Sequence, residues 1–270
     1  MSSTADKWQN YWQTSVSDPQ PDEVIIRGYP QSEIIGNLTF SEAAFLVIRG
    51  RLPTENEAGM MDGLLCGLLA FSKGPPPFAG RVVASANPQL IAGVAAGVLA
   101  QGAHAISPEE SAHFIRESYE FMQREGLSIQ EAAEQIVADA RANKRRIPGV
   151  GHPTYRGVDS RAAKLRQLAE KYGFIGERTL LYEAIHRRLI EVTGRDLPLN
   201  VDGRMACIMT EMGFDPRQMT GIACLSFIPG IIADVFDEIT EGRRLRTVPD
   251  PVFSYVGESR RSLPDEWRKG

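Results

Sequence analysis

Three loops of this chain concentrate the residue types that do chemistry: Gly74 to Pro77, Ile147 to Pro153 and Leu197 to Gly203. In the second, Pro148-Gly149-Val150-Gly151-His152-Pro153 is a glycine-rich turn that ends in an imidazole. Its glycines let backbone N–H groups approach a ligand closely, and His152 is the side chain there able to shuttle a proton near neutral pH. A tight helix-connecting turn with a surface histidine satisfies the same residues. In the third loop, Asp202 has the local signature of an N-cap for a helix starting near Gly203, and Arg161 downstream of His152 reads locally as an exposed helix charge.

Loops of this kind work only on a rigid frame, and the remaining chain reads as helices. Thr39 with Glu42 and Thr54 with Glu57 are capping-box pairs; they predict a helix over 43–49 stopped by Gly50, and another reaching Gly74. Asn87-Pro88 opens 89–101, Ser107 with Pro108 and Glu110 opens a segment to Gly126, and Ser128 with Glu131 starts 131–143. Asp159 starts 160–172, apolar spacing marks 177–192 before Gly194, and 203–212 and 217–240 complete the series. Only 24–27 and 252–256 look strand-like. With no alternation of strands and helices and no internal repeat, the pattern predicts an all-α protein.

Composition narrows the partners. A 270-residue chain that is 43% hydrophobic buries a sizeable core as one domain or two interleaved lobes. The formal charge of −4 comes without a basic block, which argues against nucleic acid. Cys66, Cys207 and Cys224 are odd in number and far apart in apolar stretches, so they read as reduced core residues. The first twenty residues are polar around Trp8, Tyr11 and Trp12, and no apolar run reaches the roughly 18 residues of a membrane span. The expectation is a cytoplasmic protein without membrane contact.

Ile26-Arg27-Gly28-Tyr29-Pro30, Phe40-Ser41-Glu42-Ala43 and Leu46 through Pro53-Thr54 resemble the opening of citrate synthases and citryl-CoA lyases. Gly149-Val150-Gly151-His152 followed by Tyr155-Arg156 and Asp159-Ser160-Arg161 is similar to that superfamily's "GxGH" segment, and Leu199-Asn200-Val201-Asp202-Gly203 to its catalytic loop. The resemblance runs from about Val24 to Gly257, and Leu199 to Gly203 with Ser254-Tyr255-Val256 leans towards the lyase branch.

The resemblance implies a citrate synthase-like fold: a large helical lobe, 1–103 with 213–270, and a small lobe, 104–212, closing over the ligand. It makes Asp202 the group that moves a proton at the methyl carbon of an acetyl thioester. It makes His152 the base that takes the proton from the citryl hydroxyl, and Arg161 a bidentate carboxylate clamp. The backbone of Pro148, Gly149, Val150 and Gly151 lines the CoA site, with Arg156 near the CoA phosphates. No tightly bound cofactor or metal is implied; coenzyme A enters as the thioester substrate, beside an oxaloacetate-like acid. The apolar segments 89–101 and 217–240 exceed the needs of one lobe, which predicts a homodimer or higher homo-oligomer.

This chain also departs from the family pattern. Gly102-Ala103-His104-Ala105-Ile106 replaces a "GPLHGGA" segment, which leaves His104 as the candidate for polarising the thioester carbonyl. Ser72-Lys73-Gly74 replaces a "DHG" segment, and Phe227 stands where the family carries a carboxylate-binding arginine. Asp250 aligns with an arginine that citrate synthases donate to the neighbouring subunit, with Arg244 and Arg246 close by; Arg246 is the substitute candidate. Three functions stay open: a citryl-CoA lyase-like enzyme, a citrate synthase-like acyltransferase, and a CoA-binding regulatory subunit.

Overall fold

Helices begin where the capping chemistry places them. In the computed structural model, which describes Trp8 and residues 11–269, Thr39 and Thr54 each accept the backbone N–H three residues on while Glu42 and Glu57 reach back to the cap. These boxes open α2 (Phe40–Arg49) and α3 (Glu55–Cys66), after a short α1 (Gln31–Ile34). Three small antiparallel strands precede them, β1 (Ser17–Pro19), β2 (Val24–Ile26) and β3 (Tyr29–Pro30). Arg27 fastens this sheet to the end of α2 by donating from Nε and Nη2 to the Val47 carbonyl at 3.0 and 2.8 Å.

The fold is all-α: α4 (Pro75–Ala86), α5 (Leu90–Leu99), α6 (Pro108–Glu125), α7 (Ile129–Ala142), α8 (Ser160–Lys171), α9 (Glu177–Thr193), α10 (Val201–Glu211) and α11 (Pro216–Glu241) follow. Left-handed glycines close α2, α6 and α9 at Gly50, Gly126 and Gly194.

Several boundaries differ from the sequence expectation for identifiable reasons. The helix after Thr54 ends at Cys66, short of Gly74, and a helix absent from the sequence expectation, α4, begins at Pro75 with three prolines in its first turn, where a missing N–H costs nothing. Asp202 is not an N-cap: Asn200 caps α10 by accepting the Gly203 N–H at 3.0 Å, and Asp202 is the second helical residue. The stretch 252–256 forms no strand; it follows a short 3-10 turn and lies exposed. Cys66 is exposed, whereas Cys207 is buried.

The core gathers around α10 and α11. Met205, Ile208, Met219, Ile222 and Ile231 are inaccessible to solvent. By length and composition α11 could cross a membrane, yet here it packs on α3, α4, α5 and α6 and carries buried acids on its inner face. One of these, Glu238, has no exposed side-chain surface and receives Arg246 (Nε, 2.6 Å) and Arg81 (Nε, 2.7 Å). Those bonds, Arg246 first, hold its carboxyl below the usual range against the opposing effect of burial. Glu238→Ala strands two partly buried guanidinium groups and is expected to cost about 2–4 kcal/mol of stability. Urea denaturation should show it as a lower midpoint at unchanged slope.

Candidate active site

The two glycine-rich loops are stitched together through their backbones. Val150 and Leu199 form an antiparallel bridge; Asn200 N–H donates to the Gly149 carbonyl at 2.9 Å, Gly151 N–H to Pro198 at 2.7 Å, and the Asn200 side chain to the Gly151 carbonyl at 2.9 Å. Gly149 takes φ +73°, and a Cβ there would stand 2.6 Å from the Gly203 Cα. A Cβ on Gly203 would in turn meet the Gly149 oxygen at 2.9 Å. Only glycine at both positions permits this approach. Behind the pair the buried phenol of Tyr182 donates to the Pro148 carbonyl, and His186 on α9 pairs through Nε2 with the Leu197 carbonyl at 2.8 Å. Burial first, and the Arg204 charge after it, keeps His186 below the usual histidine range.

This stitching brings His152, Arg161 and Asp202 onto one cleft of about 570 Å³. Within it the protonation of His152 is fixed by geometry. Its Nδ1 accepts the backbone N–H groups of Thr154 (3.0 Å) and Tyr155 (3.1 Å), so the neutral ring carries its proton on Nε2. Burial, then the charge of Arg161, lowers its pKa further from the imidazolium form. Arg161 Nη2 lies 3.4 Å from Nε2. Two donors that close have nothing to offer each other; they converge on an oxygen acceptor. The geometry presents His152 as a donor at Nε2, where the resemblance implies a base.

Arg161 is oriented from behind. Asp159, with no exposed side-chain surface, accepts its Nε at 3.0 Å and Nη2 at 2.8 Å, together with the backbone N–H groups of Arg161 (3.0 Å) and Val201 (3.1 Å). Burial pushes the Asp159 carboxyl up, but the Arg161 bonds and the two amides outweigh it and leave the pKa lowered. The Val201 bond ties this ion pair to the first residue of α10.

Asp202 has the opposite environment. Its Oδ1 is buried without a hydrogen-bond partner, and burial raises its pKa to about 6 although Arg161 and the Ser107 amide pull it down. A carboxyl poised there gives up and recovers a proton readily near neutrality.

The remaining sequence candidates divide. His104 lines the cleft, exposed, in a turn closed by paired Gly102 and Ala105 backbone bonds at 2.8 Å. Arg156 spends its Nη1 on its own loop, donating to the carbonyls of His152 (2.8 Å) and Tyr155 (3.0 Å). Arg246 does not line the cleft; its side chain is committed to Glu238. Three lining residues escaped sequence reasoning. Phe71 meets the His152 ring edge-on at 5.9 Å, and Glu110 and Arg146 contribute opposite charges. None stands in a motif; only the contact of distant segments reveals them.

The family described as "Citrate synthase, C-terminal domain" matches residues 76–248. The chain is 29% identical over 192 residues to 2-methylcitrate synthase of Mycobacterium tuberculosis, covering 69% of this chain and 45% of that protein. It is 27% identical over 140 residues to citrate synthase 2 of Bacillus subtilis, covering 51% and 37%. It thus spans less than half the length of these curated relatives. Among solved structures, citryl-CoA lyase from Hydrogenobacter thermophilus superposes with a TM-score of 0.83 at 34% identity, covering 94% of this chain and 98% of the other. ATP citrate lyase from Methanothrix soehngenii, in complex with citrate and coenzyme A, shares the fold at 20% identity and a TM-score of 0.77, covering 95% and 45%.

The raised carboxyl has a stability signature independent of any substrate. A folded-state pKa of about 6 against an ordinary 3.8 means that the contribution is full below pH 3.8 and is lost as pH rises through 6. Asp202→Asn, which cannot ionise, should match wild type near pH 4 and exceed it at pH 8 by up to about 3 kcal/mol. Denaturation midpoints of the two proteins compared at both pH values would reveal this; equal stability at pH 8 refutes the buried, raised carboxyl.

Proposed function

The chain belongs to the citrate synthase family, and from that membership we propose a citryl-CoA lyase-like activity that cleaves citryl-CoA, or a related 3-hydroxyacyl-CoA, to acetyl-CoA and an oxaloacetate-like 2-oxo acid. The observation that carries it is the adjacency of His152 Nε2 and the Arg161 guanidinium in a cleft that also holds the raised Asp202 carboxyl, one oxygen of which is unpartnered. The likeness to citryl-CoA lyase supports the cleavage direction, and the curated synthases support the same chemistry run backwards.

In cleavage the alkoxide at C3 would be held by the His152 and Arg161 donors. As the C2–C3 bond breaks, its electron pair passes into the thioester as an enolate. Asp202, protonated, returns a proton to C2 and completes acetyl-CoA. Condensation reverses each step, with Asp202 ionised and removing the methyl proton. His104 would donate to the thioester oxygen as charge develops there. The CoA chain would lie along the backbone of Pro148 to Gly151, with Arg156 turning from its own loop to the phosphates. Movement of the 104–212 lobe would close the cleft around the reactants.

We further propose a homodimer. Ile91, Ala95 and Leu99 form one exposed stripe along α5 at four-residue spacing, flanked by exposed Phe78 on α4 and Phe236 on α11. An apolar face spread over three mutually packed helices fits an isologous contact.

With citryl-CoA as the first substrate of a panel of 3-hydroxyacyl-CoA thioesters, Asp202→Asn should lose turnover about 10²–10⁴-fold while still binding CoA thioester. Turnover undiminished in that variant removes Asp202 from the reaction. For assembly, Ile91→Asp combined with Leu99→Asp should halve the mass seen by sedimentation; a monomeric wild type would refute the dimer.

A further inference from the structure

The cleft lining combines a place for a carboxylate with a patch of hydrocarbon. The polar part of the lining holds Arg161 and the Nε2 proton of His152. Arg161 already spends Nε and Nη2 on Asp159, which leaves the guanidinium with capacity for a single further anion. The lining also holds the apolar side chains of Leu68, Phe71 and Phe227.

The placement of Phe227 is tightly determined. The residue before it, Ser226, is bonded to the turn after α3, donating to the Leu65 carbonyl at 2.8 Å and accepting the Leu68 N–H at 3.0 Å. Gly230, one helical turn on, packs against the backbone of the same turn at Leu69 and Ala70. These contacts lock the middle of α11 onto the segment that carries Phe71, and Phe71 in turn touches the His152 ring. Phe227 is 2% exposed. An anion against this patch would be stripped of water and given no donor in return.

Charge elsewhere on the lining gives no substitute. Apart from Arg161 and His152, the basic side chains there are His104 and Arg146, both exposed, and the acids Glu110 and Asp202 oppose them. An oxaloacetate-type acid brings two carboxylates, and this cleft has a built place for one.

Resting on the lyase reading above, we propose that the substrate is a 3-hydroxy-3-carboxyacyl-CoA whose remaining C3 substituent is a small alkyl group instead of carboxymethyl. The acid released is then a 2-oxo monocarboxylic acid. In the step, the C3 hydroxyl loses its proton to water, the C2–C3 bond breaks, C3 becomes the keto carbon, and the electron pair is left on C2. Asp202 protonates C2 to give acetyl-CoA. No oxidant or further reactant enters.

The test compares kcat/KM of the full-length protein for 3-hydroxy-3-carboxybutanoyl-CoA, which carries methyl at C3, and for citryl-CoA, which carries carboxymethyl. The methyl substrate should lead by on the order of 100-fold. Phe227→Leu should keep the preference, since the patch stays apolar, and Phe227→Arg, if it folds, should move it towards citryl-CoA at least about tenfold. A wild type that prefers citryl-CoA overturns this substrate class while leaving the lyase reading intact. Cleavage of neither thioester overturns both.

Discussion

The backbone contact between Gly149 and Gly203 is the constraint on which the site depends. The imidazole and the acid sit beside its two partners: His152 three positions beyond Gly149, Asp202 immediately before Gly203. Two helical segments distant in sequence reach one point because neither glycine has a Cβ and because Val150–Leu199 bridging leaves no freedom of register. Tyr182 and His186, both on α9, press the two loops from behind through their carbonyls at Pro148 and Leu197. The long helices supply mass and rigidity, but the relative position of acid and imidazole is set by a handful of main-chain hydrogen bonds.

Electrostatic division of labour follows from the same junction. Asp159 and Asp202 are both buried carboxyls beside Arg161, yet their pKa values move in opposite directions. Asp159 takes the guanidinium bonds and two backbone amides, so it remains an ion and fixes the arginine. Asp202 is left with an unbonded oxygen and rises to about 6. Were the Arg161 bonds shared between them, neither acid would be held firmly in one state. One acid serves as structure, and the other stays free to exchange.

Much of this was legible in the chain. Capping boxes at Thr39, Thr54 and Ser128 fixed three helix starts within a few residues, and the loops bearing His152 and Asp202 stood out by their glycines. What stayed hidden is non-local or counter-intuitive. Pro75 to Pro77 read as a loop because proline breaks helices, whereas at a first turn it begins one. Asp202 competed with Asn200 for the cap of α10, and side-chain geometry alone decides between them. Phe71 and Glu110 have no local mark, since they join the cleft only through packing of α3, α6 and α11. Arg246, attractive by sequence proximity to the family position, is bound by an acid eight residues earlier on the inner face of α11.

The protonation states of the two central groups constrain one another. His152 must stay neutral to keep Nδ1 an acceptor, because an imidazolium would aim a proton from Nδ1 at two amide donors. Its lowered pKa secures that form as pH falls. Asp202 is raised to about 6. Burial thus favours the uncharged form of both groups, lowering the imidazole and raising the carboxyl to about 6. Arg161 acts on both: after burial, its charge lowers the imidazole further, and it limits how far the carboxyl can rise. Removing that charge would release both at once, so Arg161 tunes the proton inventory of the cleft as well as presenting a fork to an anion.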